Sequence, residues 1–268
     1  YWSLEQAKLG RNTAPEYTGK VVLVTGGAGA IGLATAQAFA ARGASIFLVD
    51  LSQEALAGAL ERLGPGHGGM AMDITAPGAA EAAIAGAVAR FGGLDILVSN
   101  AGAAWTGEMA DMDDALLRKS FELNFFSHVA FAQATTRVLR AQGRGGDLLF
   151  NVSKQAVNPG KGFGAYGLPK ATTMFLVKQL ALELGGEGIR SNGINADRIR
   201  SGLLDDDFIS KRSQARGIDE ATYMAGNLLK REVEARHVAE AFVALAGSKR
   251  TTAHIMTVDG GNIEASLR

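Results

Sequence analysis

The fold is decided by one stretch near the start of the chain, Val21-Val22-Leu23-Val24-Thr25-Gly26-Gly27-Ala28-Gly29-Ala30-Ile31-Gly32. Its apolar run ends at Thr25, and the glycine spacing G-x-G-x-x-G follows at Gly27, Gly29 and Gly32. Glycines let the backbone approach a pyrophosphate closely, and the amides at a helix N-terminus attract its charge. The stretch therefore predicts a strand, a phosphate-binding turn and a helix.

The same alternation continues to the end of the chain. Short apolar runs predict strands at Val21–Thr25, Ser45–Asp50, Gly69–Met72, Leu94–Asn100, Asp147–Val152, Arg190–Asn195 and Ile255–Asp259. Alanine-rich patterns of helical spacing lie between them, at Ile31–Arg42, Ser52–Leu63, Ala79–Phe91, Asp113–Leu139, Tyr166–Leu184 and Glu234–Ala246. Parallel strands need crossover connections, so we predict an α/β fold with a parallel sheet and helices on both faces.

Composition excludes several classes of function. Lys plus Arg and Asp plus Glu both number 27 in 268 residues, so no overall charge favours nucleic acid or an anionic membrane. The absence of cysteine excludes thiol catalysis and fits a reducing compartment, and no apolar run reaches the ~20 residues of a membrane span. We expect a cytoplasmic enzyme that acts on small molecules, with no nucleic-acid or membrane partner.

The chain is expected to hold one domain. Residues 1–19 are interpreted as a tail, or as a linker from an upstream domain, and residues 20–268 as the domain itself. Residues 197–232 form a polar, irregular stretch too long for an ordinary connection, and we interpret it as a lid.

The predicted cofactor is NAD. Asp50 ends the second strand, where a carboxylate accepts hydrogen bonds from ribose hydroxyls and repels a 2′-phosphate. Asp73 and the segment Asn100-Ala101-Gly102 follow the next two strands and would line the adenine and ribose. The predicted cofactor contacts are Gly26, Gly29, Ile31, Gly32, Asp50, Asp73, Asn100, Ala101, Gly102, Tyr166 and Lys170.

Four polar residues form the predicted catalytic set. Tyr166 and Lys170 are four residues apart and share a helix face, and Ser153 follows the fifth strand. Tyrosine has a pKa of about 10, so it needs nearby positive charge to act as a base near neutral pH. Ser153 would hold the substrate oxygen, and Asn124, in an apolar helix segment, could bind a water that links Lys170 to solvent.

Other residues are predicted to shape the substrate pocket. We expect Trp105, Gln155 and Phe163 to contact substrate, and Arg198 or Arg200 in the lid to hold a carboxylate or the pyrophosphate. Solvated loop charges are the alternative for both arginines. The histidines lack metal-ligand spacing, so no metal is predicted.

These motifs together resemble the short-chain dehydrogenase/reductase family over residues 20–263. The resemblance rests on the glycine turn, Asn100-Ala101-Gly102, Asn124, Ser153, Tyr166-x-x-x-Lys170 and Val258-Asp259-Gly260-Gly261. It implies a Rossmann-type, doubly wound, seven-stranded parallel sheet, an Asn-Ser-Tyr-Lys tetrad and a homotetramer or homodimer. Two departures are Ala30, where the family more often has glycine, and residues 192–202, which lack the usual Pro-Gly.

A narrower resemblance points to the dehydrogenase half of bacterial bifunctional rhamnulose-1-phosphate aldolase/L-lactaldehyde dehydrogenases. It rests on residues 1–8, 166–170, 192–202 and 223–227, and it implies an upstream aldolase domain and lactaldehyde as substrate. The alternatives are a secondary-alcohol or polyol dehydrogenase, a carbonyl reductase, and a protein that binds dinucleotide only as a sensor or scaffold.

Overall fold

The computed structural model describes residues 15–202 and 204–262, so the predicted tail up to residue 14 lies outside the described residues. Seven parallel strands form one sheet in the order β3-β2-β1-β4-β5-β6-β7. They are β1 Val21–Thr25, β2 Ser45–Asp50, β3 Gly68–Ala71, β4 Ile96–Ser99, β5 Gly146–Asn151, β6 Ile189–Ala196 and β7 Ile255–Val258. The predicted fold class is confirmed.

Helices cover both faces of the sheet. The α-helices described are α1 Ala30–Ala40, α2 Gln53–Leu63, α3 Ala79–Phe91, α4 Asp114–Phe121, α5 Ser127–Gln142, α6 Gly164–Leu184, α7 Asp206–Gln214, α8 Glu220–Met224 and α9 Ala235–Gly247. Successive strand side chains point to opposite faces, so Val22 and Val24 pack with α1, α2 and α9, while Val21 and Leu23 pack with α3, α5 and α6. Two apolar cores therefore hold the central strand from both sides.

The long helix predicted over Asp113–Leu139 is interrupted. A π-helical turn, Glu122–Phe126, separates α4 from α5 and contains the buried Asn124. Such single π turns are frequent at functional sites because they re-aim a side chain without ending the helix. The apolar spacing continues through the turn, which is why periodicity alone predicts one helix there.

The segment interpreted as a lid is not wholly irregular. It contains α7 and α8, each begun by an aspartate whose side chain accepts a backbone N–H: Asp205 from Phe208 and Asp219 from Thr222. Leu204, Ile209, Tyr223 and Met224 form a small apolar core of its own. This segment, called the lid below, is therefore a packed helical unit, and its closing over a ligand stays a prediction.

Tyr17 ties the segment before β1 to the main core. Its ring packs edge-on against Phe39 with centroids 5.0 Å apart, and its hydroxyl donates a 2.7 Å hydrogen bond to the Val243 backbone oxygen. The side chain is buried, so this part of the predicted tail or linker joins the domain.

Among the helices of the described residues, none combines the length and apolarity that crossing a membrane requires.

Candidate active site

One large cavity lies at the carboxyl ends of the strands. Its volume is about 1330 Å³, more than the ~300–1000 Å³ of a typical ligand pocket, and it runs from the glycine turn to the lid. All predicted cofactor, catalytic and substrate residues line it except Gly32 and Asn124. A cavity of this size and place suits a dinucleotide together with a small substrate.

Two glycines of the turn after β1 cannot carry a side chain. Gly26 has φ +62°, and a Cβ there would lie 3.0 Å from the Cα of Ala101. A Cβ on Gly32 would overlap the carbonyl oxygen of Gly26 and come within 2.8 Å of its carbonyl carbon. Gly32 does not line the cavity, and its lack of a side chain lets α1 pack closely against the turn. Gly26 lines the cavity.

The N-terminus of α1 faces this cavity. Gly29 is the residue before the helix and has no side chain to accept the first-turn amides, and both Gly29 and Ile31 line the cavity wall. The first amides of a helix lack intrahelical acceptors, and the helix dipole adds positive potential there. This donor set matches the pyrophosphate of a dinucleotide.

Asp50 ends β2 beside the same turn. Its Oδ2 accepts a 2.9 Å hydrogen bond from the Ala28 amide, and its Oδ1 accepts a 3.3 Å bond from the Ser52 amide. The carboxylate also lines the cavity, next to the largely exposed side chain of Leu51. It is placed to present negative charge at the part of the cavity beside the glycine turn. We call this part the adenosine end, because the adenosine of a dinucleotide is predicted to lie there.

Asp73 follows β3 at that end of the cavity. The hydroxyl and amide of Thr75 donate to its Oδ1 at 2.7 and 2.9 Å, and these bonds hold the pKa of the carboxyl below its usual value. Asp73 therefore stays ionised, and it can accept a hydrogen bond from an amino group such as that of adenine.

Asn100 links the ends of three strands. Its Nδ2 donates to the Thr25 backbone oxygen at 3.0 Å, and its Oδ1 accepts from the Asn151 Nδ2 at 2.9 Å. The side chain thus holds β1, β4 and β5 in register at the cavity floor. The neighbouring Ala101 and Gly102 line the cavity with little more than backbone, and a Cβ on Gly102 would lie 2.7 Å from the Asn124 Oδ1.

Ser153, Tyr166 and Lys170 come together in the wall of the cavity. The Ser153 side chain lies near enough to the Tyr166 hydroxyl to lower its pKa, and the Lys170 Nζ lies 5.7 Å from the centroid of the Tyr166 ring. The Lys170 Nζ also donates a 2.9 Å hydrogen bond to the Asn151 backbone oxygen. The three residues predicted to act together therefore share one site.

Burial sets the protonation of this group. It raises the pKa of Tyr166 to about 12, an effect partly offset by the hydrogen bond from Ser153. It also lowers the pKa of Lys170 to about 7. Tyr166 is therefore neutral at pH 7, and positive charge near its hydroxyl is needed to lower its pKa.

Asn124 is buried and does not line the cavity. Its Oδ1 accepts from the Ala103 amide at 3.2 Å, and its Nδ2 donates to the Ala103 oxygen at 2.9 Å and to the Ser120 oxygen at 3.1 Å. Thr173 donates at 2.9 Å to the backbone oxygen of Asn124. The side chain fixes the loop after β4 against the π turn, and the water-binding role stays a prediction.

Trp105, Gln155 and Phe163, the predicted substrate residues, also line the cavity. Phe163 is buried and packs edge-on against Phe208 of α7, with centroids 5.9 Å apart. The Gln155 Oε1 accepts the Gly160 amide at 2.8 Å and so closes the loop before α6. Trp105 stacks under the Lys119 ammonium at 5.3 Å. This side of the cavity is thus aromatic and amphipathic.

The structure separates the two lid arginines predicted to hold an anion. Arg198 lines the cavity, with φ +52°, and its Nη1 donates to the Tyr223 and Gly226 oxygens at 2.9 and 3.2 Å. Arg200 does not line it, and its guanidinium pairs with Glu232 and Asp206 at 2.8 Å. Those pairs occupy Arg200 at the lid surface, so that half of the prediction is not supported by the geometry.

Two other arginines of the lid were not predicted as site residues. Arg212 and Arg216 both line the cavity, stacked on Phe163 and on Tyr223 at 4.9 and 5.0 Å. The aromatic residues within the polar lid were the one sequence signal for these stacked arginines, but the stacking itself depends on how α7 packs.

Among residues 15–202 and 204–262, no three His, Asp or Glu side chains are grouped so that they could hold a metal ion.

Known proteins share this architecture. A family model described as enoyl-(acyl carrier protein) reductase matches residues 26–262. The structure of a short-chain type dehydrogenase/reductase from Mycobacterium marinum is 25% identical, covers 92% of this chain and 96% of that one, and superposes with a TM-score of 0.83.

Two curated relatives differ in length. The uncharacterized oxidoreductase YuxG of Bacillus subtilis is 34% identical over 97% of this chain, but the chain spans only 40% of that protein. A sorbitol dehydrogenase of Cereibacter sphaeroides is 31% identical over 70% of this chain and 71% of its own length. The matched family model, these relatives and the Ser-Tyr-Lys site agree, and the chain belongs to the short-chain dehydrogenase/reductase family of oxidoreductases.

Proposed function

We propose that this protein transfers a hydride from a small hydroxy compound to NAD, with Tyr166 as the base. The observation that carries the proposal is the meeting of Ser153, Tyr166 and Lys170 in a cavity that Asp50 and the glycine turn also line. Family membership supports a nicotinamide cofactor. The choice of NAD over NADP rests on Asp50 and on the residues around it.

The residues present fit NAD. Gly26 and the α1 N-terminus leave room and donors for the pyrophosphate, and Asp50 offers a carboxylate where the adenosine ribose would lie. A 2′-phosphate would meet that carboxylate, and Leu51 and Ser52 supply no cation to neutralise it. Like-charge repulsion therefore favours NAD.

The chemistry divides between the cofactor and the chain. NAD, when bound, accepts the hydride released from the carbinol carbon. Ser153 holds the substrate oxygen, and the hydroxyl proton moves to Tyr166 Oη as the carbonyl forms. Lys170 in its protonated form, with a pKa of about 7 in this structure, and the positive nicotinamide ring would together lower the pKa of Tyr166 from its buried value of about 12. Lys170 is held for this role by the Asn151 oxygen.

L-Lactaldehyde is the candidate substrate for this site. The resemblance of residues 166–170, 192–202 and 223–227 to lactaldehyde dehydrogenases supports it. An upstream aldolase domain is part of the same proposal. Since the chain has no cysteine, it cannot form a thiohemiacetal, and the aldehyde would react as its hydrate, losing hydride to NAD and a proton to Tyr166. The product would be lactate.

A polyol or secondary-alcohol dehydrogenase is the second candidate. The relative named sorbitol dehydrogenase favours it, because that protein is 31% identical over residues that make up 70% of this chain. The same Ser153 and Tyr166 would act on a secondary hydroxyl, with a ketone as product. Carbonyl reduction is the reverse of this reaction.

A homo-oligomer, dimer or tetramer, is also proposed. Phe175 and Leu182 are seven residues apart on one face of α6 and are 67% and 80% exposed, and Phe126 in the π turn is half exposed. Large apolar groups exposed together mark interaction surfaces. Light scattering should give a mass at least twice that of the chain, and Phe175→Glu should reduce it; a monomeric wild type would contradict this.

A substrate panel tests the proposed function. Lactaldehyde, propane-1,2-diol, sorbitol and small keto compounds are incubated with NAD, NADP or their reduced forms, and absorbance of the reduced cofactor is followed. NADH formation with at least one hydroxy or hydrated substrate, and little with NADP, is expected. No turnover of any compound, alongside tight NAD binding, would favour the sensor or scaffold alternative.

A further inference from the structure

We propose that Arg212 and Arg216 bind an anionic group, a carboxylate or a phosphate, on the substrate of this site. The inference rests on the proposed dehydrogenase function and narrows its substrate class. The two side chains lie on and just after α7 and line the same cavity as Ser153 and Tyr166.

Stacking holds the Arg212 guanidinium in place without using its donors. Its central carbon lies 4.9 Å from the Phe163 ring centroid and 5.4 Å from that of Phe208, and the two rings pack edge-on. A stacked guanidinium keeps its N–H groups in its own plane, where they can meet a planar carboxylate or a phosphate. Arg212 is half-buried, so a ligand there would be partly shielded from water.

Arg216 extends the same surface. Its guanidinium stacks 5.0 Å from the centroid of Tyr223, a ring that also carries Arg198 at 4.9 Å. Arg198 is fixed by its bonds to the Tyr223 and Gly226 oxygens, whereas Arg216 is exposed to the cavity mouth. Three guanidinium groups of the lid therefore line the cavity.

No carboxylate of the described residues forms an ion pair with Arg212 or Arg216. Arg200, in contrast, pairs with Glu232 and Asp206. Asp197 is held by Lys154 at 3.3 Å and by Asn262 at 2.6 Å.

The remaining acids of the cavity are placed elsewhere. Asp50 and Asp73 belong to the adenosine end, and Glu122 lines the wall without an ion pair to either arginine. Asp205 and Asp207 line a smaller neighbouring cavity. Positive charge on the lid side is thus left for a ligand.

The turn that carries Phe163 connects Arg212 to the helix of Tyr166. The Tyr166 amide donates to the Phe163 backbone oxygen at 3.1 Å, so the ring under Arg212 belongs to the turn that begins the catalytic helix. A substrate would place its reacting hydroxyl at Ser153 and Tyr166, and its anionic group, on a different carbon, against Arg212. Hydroxy acids and phosphorylated hydroxy compounds fit this description. Lactaldehyde and sorbitol, the candidates named above, lack the anionic group, so this inference favours a hydroxy acid or a phosphorylated hydroxy compound over either of them.

The test compares neutral and anionic substrates in matched variants. Glyceraldehyde and propane-1,2-diol serve as neutral compounds, glycerate as a carboxylate, and glycerol 3-phosphate as a phosphate. In Arg212→Gln and Arg216→Gln, kcat/KM should fall by about tenfold or more for the anionic compounds that the wild type uses, and little for the neutral ones. The preferred anion identifies carboxylate or phosphate as the group bound. Arg200→Gln is the control and should leave the preference unchanged.

A binding measurement stands apart from activity. Malonate and inorganic phosphate are titrated calorimetrically into the wild type and variants saturated with NADH. The wild type should bind at least one anion, and Arg212→Gln should raise its Kd about tenfold or more. Failure to bind either anion, equal losses for neutral and anionic substrates, or variants that weaken NAD binding instead would overturn the inference. Turnover of neutral compounds would support the proposed dehydrogenase function even if the anion site were absent. Anion binding without turnover of any compound would support the anion site but not the dehydrogenase function.

Discussion

The Lys170 Nζ donates a 2.9 Å hydrogen bond to the backbone oxygen of Asn151, the last residue of β5. The Asn151 side chain donates in turn to Asn100, and Asn100 to the backbone of Thr25 and Gly26. One chain of hydrogen bonds therefore joins the lysine of the candidate active site to the glycine turn. Catalytic and cofactor-binding parts of the cavity are positioned by the same strand ends.

The buried Lys170 should make the stability of the protein depend on pH. Its pKa is about 7 in the folded protein and near its usual value of 10.5 when unfolded, so the unfolded state binds more protons between these values. The free energy of unfolding should therefore rise from pH 7 to 9 by more in the wild type than in Lys170→Met. Urea titrations at pH 7, 8 and 9 measure the difference.

Subtracting the pH-dependent change in unfolding free energy of Lys170→Met from that of the wild type removes the effect of the other titratable groups. Tyr166, with a raised pKa, contributes in the opposite direction only above pH 10. Parallel curves for wild type and Lys170→Met would show that Lys170 stays charged in the folded protein, contrary to the effect expected from its burial.

A methyl group at Gly32 should disrupt the cofactor turn. Gly32→Ala would bring a Cβ against the Gly26 carbonyl, and because backbone cannot yield cheaply, we expect a loss of about 2 kcal/mol or more in unfolding free energy. NAD affinity should fall as well. Thermal unfolding and calorimetric titration with NAD measure the two effects.

Gly58→Ala provides the matched control. Gly58 lies inside α2, and the position that an added methyl group would take there is open space, so alanine should raise stability by about 0.5–1 kcal/mol. NAD affinity should not change. If Gly32→Ala were as stable as Gly58→Ala, the close packing of α1 on the turn would be refuted.

Strand positions could be predicted from the sequence because burial on both faces leaves an apolar run. Val21–Thr25 and Ser45–Asp50 match the predicted bounds, and the other strands differ by one or two residues at their ends. Ser153, Tyr166 and Lys170 could be placed together because parallel strand ends share one edge of the sheet.

Other features depend on contacts between distant residues. Asn124 bonds to Ala103, 21 residues away, and no local pattern reveals that partner or the π turn that aims it. The same holds for Arg212, whose place in the cavity depends on α7 packing against Phe163. The two lid helices were not predicted, because the polarity of this stretch conceals the buried face that Ile209, Tyr223 and Met224 form. The capping aspartates Asp205 and Asp219 are the local signal that could have indicated them.

The charge of Asp50 should determine the cofactor preference. Asp50→Asn keeps an oxygen that can accept the Ala28 amide but removes the negative charge that opposes a 2′-phosphate. The ratio of kcat/KM for NAD to that for NADP should fall by about tenfold or more. Steady-state kinetics with both cofactors measure it.

Glu61→Gln is the control for this substitution, because Glu61 is exposed on α2 and does not line the cavity. It should leave the cofactor ratio unchanged. An unchanged ratio in Asp50→Asn would show that another feature excludes NADP, or that NADP is not excluded.

The most direct test of the account is the turnover of Tyr166→Phe beside Tyr17→Phe. Both remove one buried tyrosine hydroxyl, but Tyr17 donates its own to Val243 outside the cavity, so its loss should cost only about 1 kcal/mol of stability. With an active substrate from the panel, Tyr166→Phe should lower kcat by about 100-fold or more while its Kd for NAD stays within about threefold of wild type. Tyr17→Phe should retain its turnover. Substantial NADH formation by Tyr166→Phe would contradict the assignment of Tyr166 as the base.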